Sequence, residues 1–341
     1  QKRDNVKQTN FITLVLILAC ALTAQAQIFV RSGANRDGSS WQNAFGDLQQ
    51  ALHAARQRGP VQIWVAEGKY APTATGNRDA SFVIPDGVVL LGGFAGFESS
   101  PSQRDWQKNL TVLSGEIGSP NSLEDNSYTV VLTKNVSATT IDGFVISSGT
   151  ANGVVREKGA LQRSGAGWYN DGSNGYSNPT VLNCLFINNY GRDGAAFYNY
   201  AANGVANPRI ENCQFVNNHA DLDGGALYNN GSFGISSPTI INCLFEENEA
   251  SYGGAIFNIA QSGESLPKIS RTAFTKNLSY VRGSSVYNNR DTSAGACDAD
   301  VDSSCSFNGN IDKVGTTVSS TTNNAGASRR NVSEIVFKTN M

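Results

Sequence analysis

Hydrophobic positions follow two different periods along the chain. Early on, four apolar side chains recur at helical spacing: Phe45, Leu48, Leu52 and Ala55. Gly59-Pro60 then supplies a stop signal, and from Val61 onward the pattern changes to short apolar runs bounded by Gly, Pro, Asn or Asp, which is typical of strands. One amphipathic helix followed only by strands does not fit βαβ units. We expect this helix to cover the open end of a stack of strands, where bare strand edges would invite aggregation.

The second half of the chain consists of sequence repeats with a period near 30. The repeat begins with a proline column: Pro179, Pro208, Pro238 and Pro267. Four further columns follow in order: aliphatic (Val181, Ile210, Ile240, Ile269), Cys or Thr (Cys184, Cys213, Cys243, Thr272), Phe (Phe186, Phe215, Phe245, Phe274) and Asn (Asn189, Asn218, Asn248, Asn277). A glycine-rich block, such as "GGALYN", ends each unit at Asn199, Asn229, Asn258 and Asn288, with an earlier copy at Asn170.

A period of this size also occurs in ankyrin and tetratricopeptide arrays, but those need two helices per unit. These units hold β-branched and aromatic residues without a helical stripe, so each is interpreted as one coil of about three short strands. The chain must bend between the aliphatic and the Phe columns, and Asn183, Asn212 and Asn242 stand at that bend. Asn tolerates left-handed geometry there, and stacked copies would form a ladder.

The predicted fold class is therefore all-β: a single right-handed parallel β-helix with a short amino-terminal capping helix. It is expected to span residues 27–289, with the cap at 27–60 and the clear repeats at 179–289. A polar tail is expected at 290–341. Ahead of the β-helix, residues 1–26 resemble a signal peptide, because basic residues precede the apolar run from Phe11 to Leu22 and Ala24-Gln25-Ala26 offers a cleavage point. A lipoprotein signal ending before Cys20 is the alternative.

Several segments resemble known proteins. "GSSWQNAFGDLQQALHAA", "IWVAEGKY", "GGFAGFE" followed by "QRDW", "TVLSGEI" and "IDGFVISSGTA" resemble the amino-terminal half of secreted bacterial β-helix proteins, and "NCLFEENEASYGGAIFN" resembles the polymorphic outer-membrane protein repeat. The resemblance covers about Gln27 to Asn289. It implies a pectin lyase-like β-helix, but a broad range of functions: surface adhesins, other secreted proteins and, more distantly, polysaccharide-degrading enzymes. Many relatives carry a sorting domain or a translocating barrel at the carboxy terminus, and "SRRNVSEIVFKTNM" resembles neither.

Composition narrows the choice of partners. Nucleic acid is not an expected partner, because the net charge is −2 and phosphate binding needs clustered Lys and Arg. The apolar run near the start is short for a bilayer and no second one follows, so no transmembrane anchor is expected. With two His and one Met, the chain offers little for a metal or redox centre, and no cofactor is expected. The expected location is secreted or at the cell surface.

The cysteines and acidic residues carry smaller expectations. Cys184, Cys213 and Cys243 are expected to be buried thiols, although a three-thiolate metal site is the alternative. In "CDADVDSSC", Cys297 and Cys305 are expected to form a disulfide, as exported proteins permit. The intervening acids at 298, 300 and 302 superficially resemble a calcium loop, but the required glycine and final carboxylate are missing, which favours a solvated acidic loop.

Catalytic candidates are few. Asp193 and Asp223 share one repeat position, whereas the next two units carry Tyr252 and Arg282 there. His219 lies close in sequence to Asp221 and Asp223, so "HADLD" is the best candidate acid/base cluster, with a polar turn as the alternative. Polysaccharide lyases and hydrolases of this fold would need such acids or bases on neighbouring coils. Neither the histidine nor any of the three aspartates is assigned a catalytic role on sequence alone.

A column of aromatic residues is the candidate binding surface: Tyr169, Tyr198, Tyr228, Phe257 and Tyr287. The neighbouring column, which begins with Trp168, is richer in aliphatic residues and is expected to face the core, so strand alternation turns the tyrosines outward. An outward ladder of rings suits sugars or a protein partner. Loops that cover the rings are the alternative.

Three functions follow from these patterns. The first is a non-catalytic binding or adhesive protein directed at a polysaccharide, another glycan or a surface protein. The second is a polysaccharide lyase or glycoside hydrolase. The third is a structural or filament component, whose mark would be an uncapped, apolar last coil able to stack on another molecule.

Overall fold

The computed structural model describes residues 26–313 except 121, 158 and 291–294. Over this range the chain forms a right-handed parallel β-helix with one α-helix, as predicted. The expected signal segment, its alternative at Cys20 and most of the expected polar tail lie outside the described residues. Within the described part of the chain, no helix is long and apolar enough to span a membrane.

The elements follow one another in short steps. The first part comprises β1 (Ala26–Val30), α1 (Leu48–Arg58), β2 (Val61–Ala66), β3 (Gly68–Tyr70), β4 (Phe82–Ile84), β5 (Val88–Phe94), a 3-10 turn (Pro101–Gln103), β6 (Thr111–Ser114), β7 (Val131–Lys134), β8 (Thr140–Asp142), β9 (Val145–Ser147), β10 (Thr150–Ala151) and β11 (Trp168–Asp171).

The repeating part begins after β11. It comprises β12 (Thr180–Leu182), β13 (Leu185–Ile187), β14 (Tyr190–Asp193), β15 (Phe197–Tyr200), β16 (Arg209–Glu211), β17 (Gln214–Val216), β18 (His219–Asp223), β19 (Leu227–Asn230), β20 (Thr239–Ile241), β21 (Leu244–Glu246), β22 (Glu249–Tyr252), β23 (Ile256–Ile259), β24 (Glu264–Ser265), β25 (Lys268–Ser270), β26 (Ala273–Thr275), β27 (Leu278–Arg282), β28 (Val286–Asn289), β29 (Ala296–Cys297), β30 (Asp300–Val301), β31 (Ser306–Asn308) and β32 (Ile311–Asp312).

Four long parallel sheets run along the axis of the solenoid, and β24 and β29 form a short fifth one. Sheet A has the order β1-β2-β5-β8-β12-β16-β20-β25-β30, sheet B β3-β6-β9-β13-β17-β21-β26-β31, sheet C β28-β23-β19-β15-β11-β7-β4 and sheet D β10-β14-β18-β22-β27-β32. Each complete coil passes through sheets A, B, D and C before a turn returns it to sheet A. Four strands per coil replace the three expected, because the chain bends once more between the Phe and Asn columns.

Side chains from every sheet fill the bore of the solenoid. The Phe column lies there with its four rings fully buried, and the rings of Phe186, Phe215 and Phe245 stack with centroids 4.7 and 4.6 Å apart. The aliphatic column beside it is buried as well, and so is the column that begins with Trp168 as far as Ile256. Their burial confirms the predicted core. It also provides the main hydrophobic stabilisation of the fold.

Helix α1 closes the amino-terminal end of this bore. Its apolar face, formed by Leu48, Ala51, Leu52 and Ala55, is buried in the same cluster as the strand side chains. The Asp47 carboxylate accepts a hydrogen bond from the Gln49 backbone N–H at 2.9 Å and caps the start of the helix. Gly59 ends it at φ 77°, a backbone angle that suits glycine. The helix thus closes the end of the bore as its pattern predicts, while the loop at Gly38 and Phe45 bonds the free edge of β1.

Ladders of asparagine amides connect the coils. The predicted bend residues Asn183, Asn212 and Asn242 have φ values of 51°, 56° and 52°. Each donates from Nδ2 toward the preceding coil, and the series ends when Asn183 donates to the Asp142 carboxylate at 2.7 Å.

A second ladder is buried and runs in the opposite direction. It joins Asn170, Asn199, Asn229, Asn258 and Asn288 through Nδ2–Oδ1 bonds of 2.7–2.9 Å. Its last amide donates to the Asp298 carboxylate at 3.1 Å. Each of these two ladders therefore ends, on its acceptor side, at an aspartate.

The solenoid continues beyond the predicted boundary at Asn289. Val301 pairs with Ile269, Phe307 with Phe274, and Ile311 with Leu278, so residues 296–312 form another coil. Sequence spacing hid this coil, because the connection that leads into it is longer than those between the earlier coils. The first part of the expected polar tail is thus structured.

The predicted Cys297–Cys305 disulfide is wrong in this structure, where all five described cysteines are free thiols. Cys305 takes the next place in the Cys column, beside Thr272, and its thiol approaches the Ile269 carbonyl at 3.5 Å. Cys297 lies on β29, paired with β24. The two residues therefore belong to different faces of one coil.

The other three column cysteines are buried, as expected. Burial raises the pKa of Cys213 well above its usual value, so it stays a neutral thiol. Among the described residues, no group of three or more His, Cys, Asp and Glu side chains is arranged to hold a metal ion.

Candidate functional site

The predicted binding column lies on the outer side of sheet C, but it is not exposed. We call Tyr169, Tyr198, Tyr228, Phe257 and Tyr287 the outer aromatic column. Its first four members are 1–6% exposed and stack on one another, and the last is partly buried. The direction of the side chains agrees with strand alternation, whereas the expected exposure is wrong.

Neighbouring loops explain this burial. Leu161, Tyr200, Tyr252 and Ile259 pack against the column from outside. The Tyr169 hydroxyl donates to the Gly159 carbonyl at 2.6 Å, and Asn230 Nδ2 donates to the Tyr198 hydroxyl at 3.0 Å. Burial raises the pKa of Tyr169, Tyr198 and Tyr228 well above the usual range. These rings act as a second core, and a ligand cannot reach them in this conformation.

The four candidate acid/base residues separate into two groups. Asp193 is buried and forms an ion pair with Arg163 at 3.1 Å, and Asp223 occupies the paired position on β18. Arg163 also donates to the Arg156 carbonyl at 3.2 Å, so the pair connects Asp193 to the covering loop. His219 and Asp221 instead lie on the outer side of sheet D, at its surface.

The His219 cluster is built across neighbouring strands. His219 pairs in register with Tyr190 on one side and Glu249 on the other. Its ring stacks on Tyr190 with centroids 5.3 Å apart, its Nδ1 contacts the Glu249 carboxylate, and its Nε2 lies 3.5 Å from the Asp221 carboxylate. The Tyr190 hydroxyl donates to Asp221 at 2.8 Å. Sequence proximity predicted Asp221, but Glu249 comes from the next coil and was missed.

The protonation state of His219 decides which acid or base role this cluster can have. Burial opposes the charged form of His219, but the hydrogen bonds and charges of Asp221 and Glu249 outweigh it and raise the pKa of His219 to about 9. Hydrogen bonding to His219 in turn lowers the pKa of both carboxyls. At neutral pH the ring is an imidazolium held between two carboxylates. Such a ring cannot accept a proton, so it is unsuited to be a general base.

A partly exposed apolar ridge runs along the turns that join sheet C to sheet A. We call Tyr176, Val205, Phe233 and Ile235 the turn ridge. Tyr176, Val205 and Ile235 stack through isolated parallel bridges on successive coils. Tyr176 is 66% exposed and Phe233 is 55% exposed. Ridges of exposed aromatic and aliphatic side chains mark interaction sites more often than scattered apolar residues do.

Phe233 has an unusual backbone conformation. Its φ is 58°, in the left-handed region, where the corresponding turns of other coils place Asn174, Asn203 and Ser262. A bulky side chain is unfavourable there, whereas Asn is well tolerated. The repeat alignment contains this signal, because a phenylalanine replaces a turn-forming polar residue in one coil only. Strain of this kind at a surface position points to a functional hypothesis.

A shallow pocket lies elsewhere, beside the 3-10 turn. It has a volume of about 280 Å³ and is lined by residues that include Phe97, Glu98, Asp105 and Lys108. The Glu98 carboxylate accepts hydrogen bonds from the backbone N–H groups of Ala95, Gly96 and Phe97 at 2.6–3.0 Å. This carboxylate is therefore occupied in shaping its own loop. The pocket offers no convergent group for chemistry.

Comparisons with known proteins add little on function. No protein-family model matches the chain, and no curated protein matches it. Among solved structures, the chain is similar to the pectin methylesterase from Aspergillus niger, with a TM-score of 0.39 and 14% identity over 92% of this chain and 94% of that chain. The assignment of the β-helix fold rests on the strand register described above.

Proposed function

We propose that this chain is an exported β-helix protein whose role is non-catalytic binding of a neutral glycan on the turn ridge. One observation carries the proposal: Phe233 exposes its ring from a left-handed turn position that polar residues occupy on the other coils. The conformational cost of that residue has no compensation in the core, because the ring is 55% exposed. A ligand that contacts the ring provides one.

The surroundings of the ridge are mostly neutral, although Glu264 pairs with Ile235 on the next coil. The side chains at the same turn position are the neutral Asn174, Asn203 and Ser262. Aromatic faces contact the apolar side of a sugar ring, while amides and hydroxyls bind its hydroxyl groups. Tyr176 and Phe233 belong to turns two coils apart, and coils are spaced at about 4.8 Å. An extended glycan that follows the axis contacts both rings.

The test compares two variants at the same residue. Phe233→Asn removes the ring and gives the turn its preferred residue, so the protein stays folded, whereas Phe233→Tyr keeps an aromatic face. A glycan array of the mature protein is expected to show binding that Phe233→Asn abolishes and Phe233→Tyr retains. Tyr176→Ala should weaken the same signals. Equal binding by the wild type and Phe233→Asn would contradict the proposal.

A polysaccharide lyase or glycoside hydrolase is the second candidate. One observation favours this candidate: the His219 imidazolium lies between two carboxylates and has a proton to donate, as a general acid needs. Reducing-sugar and unsaturated-uronate assays test it directly. Activity that Glu249→Gln removes would replace the binding proposal with catalysis on sheet D.

A further inference from the structure

The last described coil leaves an apolar surface at the end of the bore. Sheets A, B, C and D end there with β30, β31, β28 and β32. Phe307 stacks on Phe274 with centroids 5.1 Å apart, yet it is 47% exposed, while every Phe column ring before it is buried. Val286 on β28 is likewise only partly buried, whereas Ile256 on the strand before is fully buried. An apolar segment that fits this end would remove these side chains from water.

The sequence that follows contains the repeat again. "VSEIVFKTN" at residues 332–340 matches "ISRTAFTKN" at residues 269–277 in an aliphatic residue, the Phe and the final Asn. The matched residues are Val332, Phe337 and Asn340, and Ile335 stands at the Cys or Thr position. "GTTV" at residues 315–318 similarly matches "GSSV" at residues 283–286, which leads into β28.

The Phe of the second segment stands at the spacing that the observed coils use. Phe337 follows Phe307 at the same separation in sequence as Phe245 follows Phe215. Phe215 and Phe245 belong to successive coils and pair in register across sheet B. Phe337 therefore falls one coil after Phe307.

The first segment agrees with the observed coils as well. Gly315 follows Asn310 by 5 positions, as Gly253 follows Asn248, whereas Gly283 follows Asn277 by 6. Val318 and Val332 are 14 positions apart, between the 13 that separate Ile256 from Ile269 and the 15 that separate Val286 from Val301. Both halves of the repeat thus occur in the right order and at the right distance.

Hydrogen bonding gives an independent reason for one more coil. In the buried column after the Phe, each backbone N–H donates to the Asn side chain of the following coil, as Asn248 does to Asn277 at 3.0 Å and Asn277 does to Asn310 at 2.9 Å. The described part of this series stops at Asn310. A following Asn at the same register would accept its backbone N–H, and Asn340 is the residue that the spacing supplies.

We propose that the open end of the last coil is a docking surface and that its occupant is the segment 315–340 of this same chain. Val318 would lie beside Val286, Val332 beside Val301, Phe337 against the exposed face of Phe307, and Asn340 beside Asn310. This assignment goes beyond the proposed function, because it concerns the end of the solenoid and is independent of the turn ridge. It also gives the apolar residues of 332–337 a partner that a solvated tail would lack.

Hydrogen exchange of the full chain tests the proposal. In the wild type, the backbone amides of residues 300–312 are expected to exchange as slowly as those of residues 267–279. Phe337→Asp should abolish this protection. Val336→Asp is the matched control, because strand alternation turns the neighbouring side chain outward and protection should persist. Continued protection of residues 209–218 in both variants would show that the remaining solenoid is folded.

Other outcomes overturn the assignment. Rapid exchange of residues 300–312 in the wild type would show that the end is bare. Equal loss of protection in Phe337→Asp and Val336→Asp would contradict the predicted register, in which only Phe337 faces the bore. Protection that disappears on dilution, with dimers in light scattering, would identify the occupant as a second copy of the chain. A disulfide that forms between Ser306→Cys and Val336→Cys in one monomeric chain would support the register directly.

Discussion

The molecule contains two aromatic stacks that differ in how they are buried. In the bore, Phe186, Phe215 and Phe245 lie almost parallel, with interplanar angles of 5° and 3°. In the outer aromatic column, the rings of Tyr198, Tyr228 and Phe257 have interplanar angles of 28° and 34°. The bore holds each ring between register-paired strands of neighbouring coils, whereas loops of different sequence cover the outer column. The regular stack of coils therefore gives the Phe rings of the bore one common orientation. The irregular loops allow the rings of the outer aromatic column to tilt differently from coil to coil.

The largest effect is expected in the bore. Phe215 is fully buried between two stacked rings, so Phe215→Ala should leave a cavity and cost about 3–5 kcal/mol of unfolding free energy. Urea denaturation followed by circular dichroism measures this cost. An unchanged midpoint would show that the Phe column does not fill the core.

A smaller effect is expected in the outer aromatic column. Tyr228→Ala removes a ring of similar size, but the covering loops can close part of the space, so we expect a cost of about 2–3 kcal/mol. Burial raises the pKa of Tyr228, so its phenol should also resist titration until the protein unfolds. Absorbance near neutral and alkaline pH follows that titration. A normal phenol titration in the native protein would mean that the loops open freely.

The outer side of sheet D differs from both aromatic stacks, because it carries the charged side chain of His219 at the surface. Because the pKa of His219 rises from 6.5 to about 9 on folding, its stabilisation is full below pH 6.5 and is lost as pH rises through 9. The side chain is 34% exposed, so screening reduces the contribution to on the order of 1 kcal/mol. His219→Gln should flatten the fall in stability between pH 6.5 and 9.

The matched control is His53→Gln, because His53 lies exposed on α1. This variant should keep the pH dependence of the wild type. Equal slopes for all three proteins, measured by urea denaturation across this pH range, would argue against a charged His219 in the folded state.

The smallest effect is expected on the turn ridge and has the opposite sign. Phe233→Asn replaces a strained residue at φ 58° with one that tolerates this angle, so the protein should gain up to about 1 kcal/mol. Thermal unfolding measures the gain. A clear loss of stability would show that the ring packs against the turn more than its exposure indicates.

The sequence allowed prediction of whatever repeats in register. The Phe, aliphatic and Asn columns recur at fixed spacing, and a solenoid of stacked coils is the arrangement that buries them together. Side-chain direction followed as well, because alternation along a strand assigns Tyr198 and Phe197 to opposite faces. These features depend on local geometry that each coil shares with the next.

What could not be predicted depends on loops and on contacts between coils. Strand alternation turned Tyr169 outward but could not reveal that Leu161 and Gly159 would cover it. Glu249 joins His219 only through cross-strand register, which short motifs within one unit do not contain. Cys305 was assigned to a disulfide because a longer connection shifted the last coil out of the frame of the repeat.

The asparagine ladders that end at Asp142 and Asp298 have a consequence for how this protein can change length. Every junction in a ladder repeats the same donor and acceptor, and only the ends, at Asp142 and Asp298, are chemically different. Removing or duplicating one whole interior coil would leave each junction matched and both ends unchanged. Inserting half a coil would instead oppose an amide with an apolar side chain. Length in such a molecule is thus adjustable in whole coils, in the way that a polymer grows by identical monomers between two fixed end groups.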